Sequence, residues 1–287
     1  MVLGILILAY FGIGLFVASR LTAPSPAPME ATPASVGLDF RDIRLKSTDG
    51  IELAAWWVPG QGSSRAAVLV HGFGGNKSNE QILETARIYA RSDYNVLMID
   101  LRAHGQSDGD RRTLGYQEVR DVHGALDWLE SKDFRSGQTI LHGWSMGGAT
   151  VVRAAPGAGV AAVVEEAGYA DLPLLLSDTL PENSGLPALF NPGTKLMAKV
   201  FLGFDASAVV PKQDAAQLYE EGVPLFGIHS TTDETVPFEH AGMFREATPN
   251  IEFWKLEGYA HVEAYKHPEY RERLSGFLRE LEGREAA

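Results

Sequence analysis

One short segment limits the possible folds of this chain more than any other, namely residues 143–147, Gly-Trp-Ser-Met-Gly. It fits the pattern G-x-S-x-G, in which a serine stands on a sharp turn between a strand and a helix. Residues 138–141 before it form a short apolar run of strand type, and the small residues at 147–152 after it are compatible with a tightly packed helix. The sequence therefore predicts a strand, a turn and a helix, with the hydroxyl of Ser145 exposed at the turn.

The same pattern occurs a second time, at residues 105–109, Gly-Gln-Ser-Asp-Gly. Ser107 lacks both an apolar strand before it and a helical stretch after it, because polar and charged residues surround it, which is typical of a loop. The flanking sequence thus favours Ser145 as the candidate nucleophile and leaves Ser107 as the alternative.

Apolar runs of strand type recur along the chain and alternate with helical stretches. The first two runs flank a Ser-Thr-Asp-Gly turn at 47–50 and predict an antiparallel hairpin. Strands that alternate with helices form a parallel sheet covered on both faces, so the sequence predicts one α/β domain over residues 37–287 with a mostly parallel, eight-stranded sheet. The predicted strands are 38–46, 51–58, 66–70, 95–99, 138–141, 160–164, 223–228 and 251–256.

The amino-terminal residues 2–19 are apolar, and the first charged side chain is that of Arg20. A helix of this length rises about 27 Å, close to the thickness of the hydrocarbon core of a bilayer. We therefore predict a single-pass membrane anchor over residues 1–20, with a cleaved signal peptide and a buried core helix as alternatives. A single arginine after the span does not determine which side of the membrane the domain faces.

Two further segments interrupt the pattern of strands and helices. Residues 21–36 are rich in proline, and we expect a linker that holds the domain away from the membrane. Residues 171–205 contain short apolar stretches separated by prolines, which predicts a helical cap inserted over the strand ends. So many leucines need a surface to cover, and an apolar pocket beneath the cap would provide one.

Composition excludes several classes of function. The chain contains no cysteine, which excludes disulfides, thiolate metal ligands and a cysteine nucleophile. A net charge of −12 argues against a nucleic-acid partner, which requires a basic face. The glycine-rich loop at 72–75 has neither the P-loop spacing nor the G-x-G-x-x-G pattern, so phosphate binding is disfavoured. We expect no cofactor and no metal, and the sequence does not indicate an oligomeric state.

A serine hydroxyl is a weak nucleophile and requires a base within hydrogen-bond reach. The base follows an acid, and the acid follows the serine, in the chain order typical of G-x-S-x-G proteins. His261 stands in a Gly-Tyr-Ala-His loop after the last predicted strand, where its ring can turn back over the sheet. We predict His261 as the base, and His267, beside Pro268, as the weaker alternative.

The acid is predicted from the same chain order of serine, acid and histidine, and the oxyanion donors are predicted from the charge that forms during the reaction. Asp233 lies in the loop after the strand 223–228 and is the predicted acid, with Glu234 and the pair at 165–166 as alternatives. The negative charge that forms on a substrate oxygen requires backbone N–H donors. We predict the N–H groups of Met146, directly after the nucleophile, and of Phe73, in the glycine-rich loop, as these donors.

Taken together, these residues resemble the α/β-hydrolase fold superfamily over residues 37–283. The landmarks that carry the resemblance stand in the family's order, and they are His71-Gly72, the Asp-Leu-Arg-Ala-His-Gly-Gln-Ser-Asp-Gly stretch at 100–109, the segment 143–148, Asp233 before Val236-Pro237, and Gly258-Tyr-Ala-His261. Within that superfamily, the chain resembles the membrane-anchored Bem46-like and serine-aminopeptidase-like hydrolases. In such proteins the 100–109 stretch is a structural loop, which implies the same for Ser107.

The predicted residues and the resemblance together imply a serine hydrolase that cleaves acyl esters through an acyl-enzyme. The predicted membrane anchor and apolar cap indicate a membrane location and a lipid-like or acyl-chain substrate. Thioesterase and aminopeptidase activities are the alternatives, and a catalytically silent binding protein is an alternative of another class. Trp144 departs from the pattern of many lipases, since Gly-Trp-Ser-x-Gly-Gly is similar to the motif of prolyl-oligopeptidase-type peptidases. Those peptidases carry a large propeller domain that 287 residues cannot contain, so ester hydrolysis is favoured over peptide hydrolysis.

Overall fold

A computed structural model describes residues 2–249 and 251–285 and contains an eight-stranded sheet with the strand order 1-2-4-3-5-6-7-8. The antiparallel pairs join β1 to β2 and β2 to β4, and every other neighbouring pair is parallel. The predicted mostly parallel sheet with an amino-terminal hairpin is therefore confirmed. The strands are β1 (Arg41–Lys46), β2 (Glu52–Val58), β3 (Ala66–Val70), β4 (Asn95–Ile99), β5 (Thr139–Trp144), β6 (Ala162–Glu166), β7 (Leu225–Ser230) and β8 (Glu252–Leu256).

Helices cover both faces of the sheet. Helices α3, α4, α7 and α8 pack on one face, and α2 and α9 pack on the other. The central strands are buried on both faces because alternate side chains enter the two cores: Val68 points to one and Leu69 to the other. The helices are α1 (Val2–Thr22), α2 (Glu80–Arg91), α3 (Val119–Glu130), α4 (Met146–Ala154), α5 (Leu172–Ser184), α6 (Asn191–Leu202), α7 (Pro211–Glu221), α8 (Glu239–Ala247) and α9 (Tyr270–Glu285).

Strand β5 differs from its predicted bounds in a way that positions the candidate nucleophile. The sequence predicts a strand that ends at Leu141, whereas the ladder to β6 continues through Trp144, which pairs with Glu166. The apolar run ends at Leu141, and glycine is unfavourable in a strand interior, so the sequence carries no strand signal for the last three residues of β5. The partner strand holds Gly143 in extended conformation nevertheless, so β5 leads directly into the turn at Ser145.

Helix α1 is long and apolar enough to cross a membrane by length and composition. Its first two turns are exposed, but its second half packs on α6 of the cap. The hydroxyl of Tyr10 donates to the carbonyl of Leu189 at 2.8 Å and accepts from the N–H of Gly193 at 3.0 Å. A Cβ added to Gly14 would lie 2.9 Å from the carbonyl carbon of Gly193, so these two helices approach closely through small residues.

The proline-rich segment is not the free linker that the sequence predicts over 21–36. Residues 21–22 belong to α1, and Ser25 pairs with the loop at His104, where its N–H donates to the carbonyl of Ala103 at 2.8 Å. The amide of Asn76 donates to two carbonyls at 27–28. Prolines remove N–H donors but leave carbonyl acceptors, and groups of the folded domain bind the carbonyls of this segment.

The cap consists of α5 and α6, which follow β6 within the predicted span 171–205. Asp171 begins α5, where its side chain accepts a hydrogen bond from the N–H of Leu174 at 3.0 Å. Apolar side chains of α5 face the carboxyl ends of the parallel strands, where ligands bind in open α/β sheets. The cap therefore covers the carboxyl ends of the parallel strands, where Ser145 lies.

Candidate active site

Ser145 lies between β5 and α4 in a backbone conformation that is rare outside glycine, with φ 55° and ψ −120°. Two glycines make this turn possible. A Cβ on Gly143 would lie 2.2 Å from the carbonyl oxygen of Gly147, and a Cβ on Gly147 would lie 2.1 Å from that of Val70. The N–H of Ser145 donates to the carbonyl of Glu166 at 2.8 Å, which ties the turn to β6. The result is a strained turn that presents the hydroxyl.

The three residues predicted as nucleophile, base and acid lie within one chain of hydrogen bonds. Nε2 of His261 is 2.8 Å from Oγ of Ser145, and Nδ1 of the same ring is 2.7 Å from Oδ2 of Asp233. Because a carboxylate only accepts, Nδ1 carries the proton and Nε2 is free to accept the proton of the serine. These residues are 116 and 28 positions apart in sequence, so only the fold joins them.

The carboxyl of Asp233 is buried but well supplied with donors. Oδ1 accepts hydrogen bonds from the N–H groups of Thr235 and Val236, both at 2.9 Å. Burial opposes ionisation, but the hydrogen bond from His261 and these backbone donors outweigh it and hold the pKa of Asp233 below its ordinary value. The group is thus an anion that orients His261.

The alternative acids lie elsewhere. Glu234 is exposed, and the side chains of Glu165 and Glu166 bond to other groups. The N–H of Gly168 donates to Glu165, and the indole N–H of Trp144 donates to Glu166 at 2.9 Å. Burial raises the pKa of both glutamates to about 8, so they are neutral over most of the physiological range.

Trp144, whose significance the sequence does not show, belongs to the core. Its side chain is fully buried, stacks on the ring of His142 with centroids 4.1 Å apart, and donates to Glu166. The tryptophan therefore supports the strand that leads to Ser145 and does not line the cavity above it.

The alternative serine and the alternative histidine make structural contacts away from Ser145. Oγ of Ser107 donates to the carbonyl of Asp100 at 2.6 Å and accepts from the N–H of Ala54 at 2.8 Å, so this serine joins its loop to the sheet. His267 packs edge-on against Trp254, and its Nδ1 accepts from the N–H of Glu269 at 3.1 Å.

The predicted oxyanion donors, the N–H groups of Phe73 and Met146, belong to residues that line the same cavity as Ser145. Met146 begins α4, so its N–H has no acceptor within that helix. The loop that carries Phe73 is held by His71, whose buried Nε2 accepts from the N–H of Leu101 at 3.0 Å. Burial lowers the pKa of His71 to about 4, consistent with a neutral ring.

An apolar cavity of about 150 Å³ lies above the serine hydroxyl. Cap leucines and loop residues enclose it, and no acidic or basic side chain lines it in the part of the chain that the structure describes. The lining residues are Leu21, Phe73, Leu114, Ser145, Met146, Tyr169, Leu172, Leu175, Leu176, Thr179, Leu180, Thr235 and Val236.

Three of these lining residues, Leu21, Leu114 and Tyr169, lie outside the segments that the sequence assigns to the site or its cap. Leu21 falls in the predicted linker, yet it continues the helix and lines the cavity above Ser145. The spacing of Tyr10, Gly14 and Ala18 is the signal that indicates a packed stripe on α1. Tyr169 follows β6, and ligands bind at the carboxyl ends of parallel strands, so its position after a predicted strand is the signal that indicates a lining residue.

Comparison with known proteins shows the family to which the chain belongs. Over 121 residues the chain is 33% identical to the α/β-hydrolase domain-containing protein WAV2 of Arabidopsis thaliana, a match that covers 41% of this chain and only 38% of that protein. It is 21% identical over 247 residues to the uncharacterized protein YfhR of Escherichia coli K12, covering 82% of this chain and 79% of YfhR.

Solved structures share the fold. The esterase Pf2001 of Pyrococcus furiosus superposes with a TM-score of 0.73 at 23% identity, covering 90% of this chain and 98% of that one. Est1E of Butyrivibrio proteoclasticus, with ferulic acid bound, superposes with a TM-score of 0.67 at 20% identity, covering 83% and 99%. The model of the alpha/beta hydrolase family matches residues 67–268, well over half of the chain. The protein therefore belongs to the alpha/beta hydrolase family.

Proposed function

We propose that this protein is a serine hydrolase that cleaves carboxylic esters, with Ser145 as nucleophile, His261 as base and Asp233 as orienting acid. The observation that carries the proposal is the continuous hydrogen-bond chain from Ser145 Oγ through both nitrogens of His261 to Asp233, with distances of 2.8 and 2.7 Å. A structural serine would need no imidazole in this position.

The mechanism follows from these positions. Nε2 of His261 takes the proton as Oγ of Ser145 bonds to the acyl carbon, and the carbonyl electrons move to the oxygen. The N–H groups of Phe73 and Met146 stabilise that oxyanion. The C–O bond to the alcohol then breaks, and the departing oxygen takes the proton from His261. Water repeats the sequence on the acyl-enzyme and releases the carboxylic acid.

The apolar lining of the cavity favours the binding of an uncharged acyl group of the substrate. Besides Ser145, its lining is formed by six leucines, two aromatic rings, Met146, Val236 and two threonines. An aminopeptidase must bind a substrate ammonium group, and no carboxylate lines this cavity among the described residues. An acyl ester with a lipid-like chain is therefore our first candidate, and a thioester of the same acyl group is the second. That Pf2001, which shares this fold, is an esterase supports an ester substrate.

A fluorophosphonate probe tests the assignment, because it reacts covalently with an activated serine. The wild type and Ser107→Ala should be labelled, whereas Ser145→Ala should not. Ser107→Ala is the matched control, since it removes the same hydroxyl from the second G-x-S-x-G segment. Labelling that persists in Ser145→Ala, or a folded wild type that is never labelled, contradicts the proposal, and the second result favours a silent binding protein.

Initial rates then separate the reaction classes. We expect p-nitrophenyl butyrate to be cleaved, and an aminoacyl p-nitroanilide to be cleaved far more slowly. A faster reaction with the anilide would indicate the aminopeptidase. A higher kcat/KM for the butyryl thioester than for the oxygen ester would indicate the thioesterase.

A further inference from the structure

The catalytic cavity alone is too small for a long acyl chain. Its volume is about 150 Å³, whereas pockets that bury drug-sized ligands measure roughly 300–1,000 Å³. A short acyl group fits within it, and a longer chain must leave it in some direction. The shape of the surrounding space therefore bears on which esters this site accepts.

A second, much smaller space adjoins the cavity on the side of the amino-terminal helix. This narrow neck of about 10 Å³, roughly the least space that one water requires, lies between α1, α5 and α6. Leu21, Leu176 and Leu180 line both the catalytic cavity and this neck. The remaining walls of the neck consist mostly of small side chains, among them Ala18 and Ala198.

Beyond the neck lies an open groove of about 380 Å³ between α1 and the end of α5. Leu21 and Leu180 line the groove as well, so the same two side chains border all three spaces. The outer walls are Phe16 and Val17 on α1, with Arg20 and Ser184 at the polar rim.

We propose that Leu21, Leu176 and Leu180 form a gate between the catalytic cavity and this groove, and that the distal part of a long acyl chain passes the gate and lies in the groove along α1. The proposal rests on the esterase function proposed above and adds a substrate subsite to it. The amino-terminal helix is then a wall of the substrate site and not an anchor alone. Leu21 and Leu180 are specificity-determining residues, because each must move for a long chain to pass.

The physical basis is burial of methylene groups. Each methylene that leaves water for an apolar surface strengthens binding about fourfold. A butyryl group ends inside the cavity and gains nothing from the groove, whereas a lauroyl chain extends beyond the gate. Blocking the groove should therefore change the preference between the two chains and not the chemistry at Ser145.

The absence of cysteine from the chain allows a test within one protein sample. Ser184→Cys places a single thiol at the rim of the groove, where a bulky disulfide-forming reagent can attach to it. The kcat/KM ratio for p-nitrophenyl laurate over p-nitrophenyl butyrate is measured on the detergent-solubilised full chain, before modification, after it, and after reduction and desalting. We expect modification to lower the ratio about tenfold and reduction to restore it.

Ser131→Cys, on an exposed residue after α3 that lines neither the cavity nor the groove, is the matched control and should keep its ratio after modification. A ratio that does not change on modification of Ser184→Cys overturns the proposal. Leu180→Trp tests the gate itself: the folded variant should show a lower ratio, whereas Leu196→Trp on the exposed face of α6 should not. A failure of the proposed function is distinct, because the unmodified wild type would then cleave neither ester.

Discussion

Ser145 shows how a single residue can be suited to chemistry at a cost in backbone energy. Its positive φ is disfavoured for a residue with a side chain, and the neighbours on both sides hold it in place. Asp233 complements it, because an ionised and hydrogen-bonded carboxylate keeps the ring of His261 in one tautomer. The sequence predicts each of these residues by type and order, whereas the distances among them are a property of the fold.

At this scale we predict the effect of removing the charge of the acid. Asp233→Asn should lower kcat for ester hydrolysis roughly 10³–10⁴-fold, because an amide can stabilise the wrong tautomer of His261. The adjacent Glu234→Gln, which makes the same chemical change on an exposed side chain, should keep the wild-type rate to within a factor of about two. Steady-state rates on p-nitrophenyl butyrate measure kcat for both variants, and equal losses in the two would contradict the role of Asp233.

At the scale of elements, the site depends on the junction of β5, the turn and α4. The sequence predicts this junction from two glycines and an apolar run, and the structure extends β5 to Trp144 because β6 pairs with it. The fully buried strands β3 and β4 have the bounds that the sequence predicts, since continuous apolar runs leave little ambiguity. Segments without such runs carry no local signal of their contacts. The proline-rich stretch is the clearest case, because the sequence predicts a linker and the structure packs it on the domain.

The close approach of α4 to β3 leads to a prediction about Gly147. In Gly147→Ala the new Cβ would lie 2.1 Å from the carbonyl oxygen of Val70, so we expect a loss of about 2–3 kcal/mol in the free energy of unfolding. Gly276→Ala in α9 is the control, because its nearest neighbour is a flexible arginine tip at 3.9 Å. That variant should be more stable by about 0.5–1 kcal/mol. Urea unfolding measures both, and a Gly147→Ala variant as stable as the wild type would contradict this packing.

At the scale of the whole molecule, α1 connects three features that the sequence presents separately. Its first turns are exposed and apolar, its middle packs on the cap, and its last turn lines the catalytic cavity. We propose that the exposed part attaches the protein to a membrane while the packed part places the cap near the lipid surface. An acyl ester from a bilayer would then lie close to the groove beside α1.

Membrane attachment is tested by phase separation in a detergent with a low cloud point. The full chain should enter the detergent phase, and Leu3→Lys with Leu6→Lys should move it several-fold toward the aqueous phase, since charge is costly in hydrocarbon. Ser64→Lys with Ser131→Lys adds the same charge at exposed sites away from α1 and should leave the partition unchanged. Mass spectrometry of the purified chain shows whether α1 is retained, and a chain that lacks it would indicate a cleaved signal peptide.

The sequence by itself determines the local features of this protein: the alternation of strands and helices, the turn at Ser145, and the order of serine, acid and histidine. Hydrophobic periodicity and turn chemistry act over a few residues, so they can be read directly. Only the tertiary structure decides which carboxylate meets His261, that Trp144 serves the core, and that α1 reaches the catalytic cavity through Leu21. Each of these depends on contacts between residues far apart in the chain, and such contacts exist only once the sheet and the cap have packed.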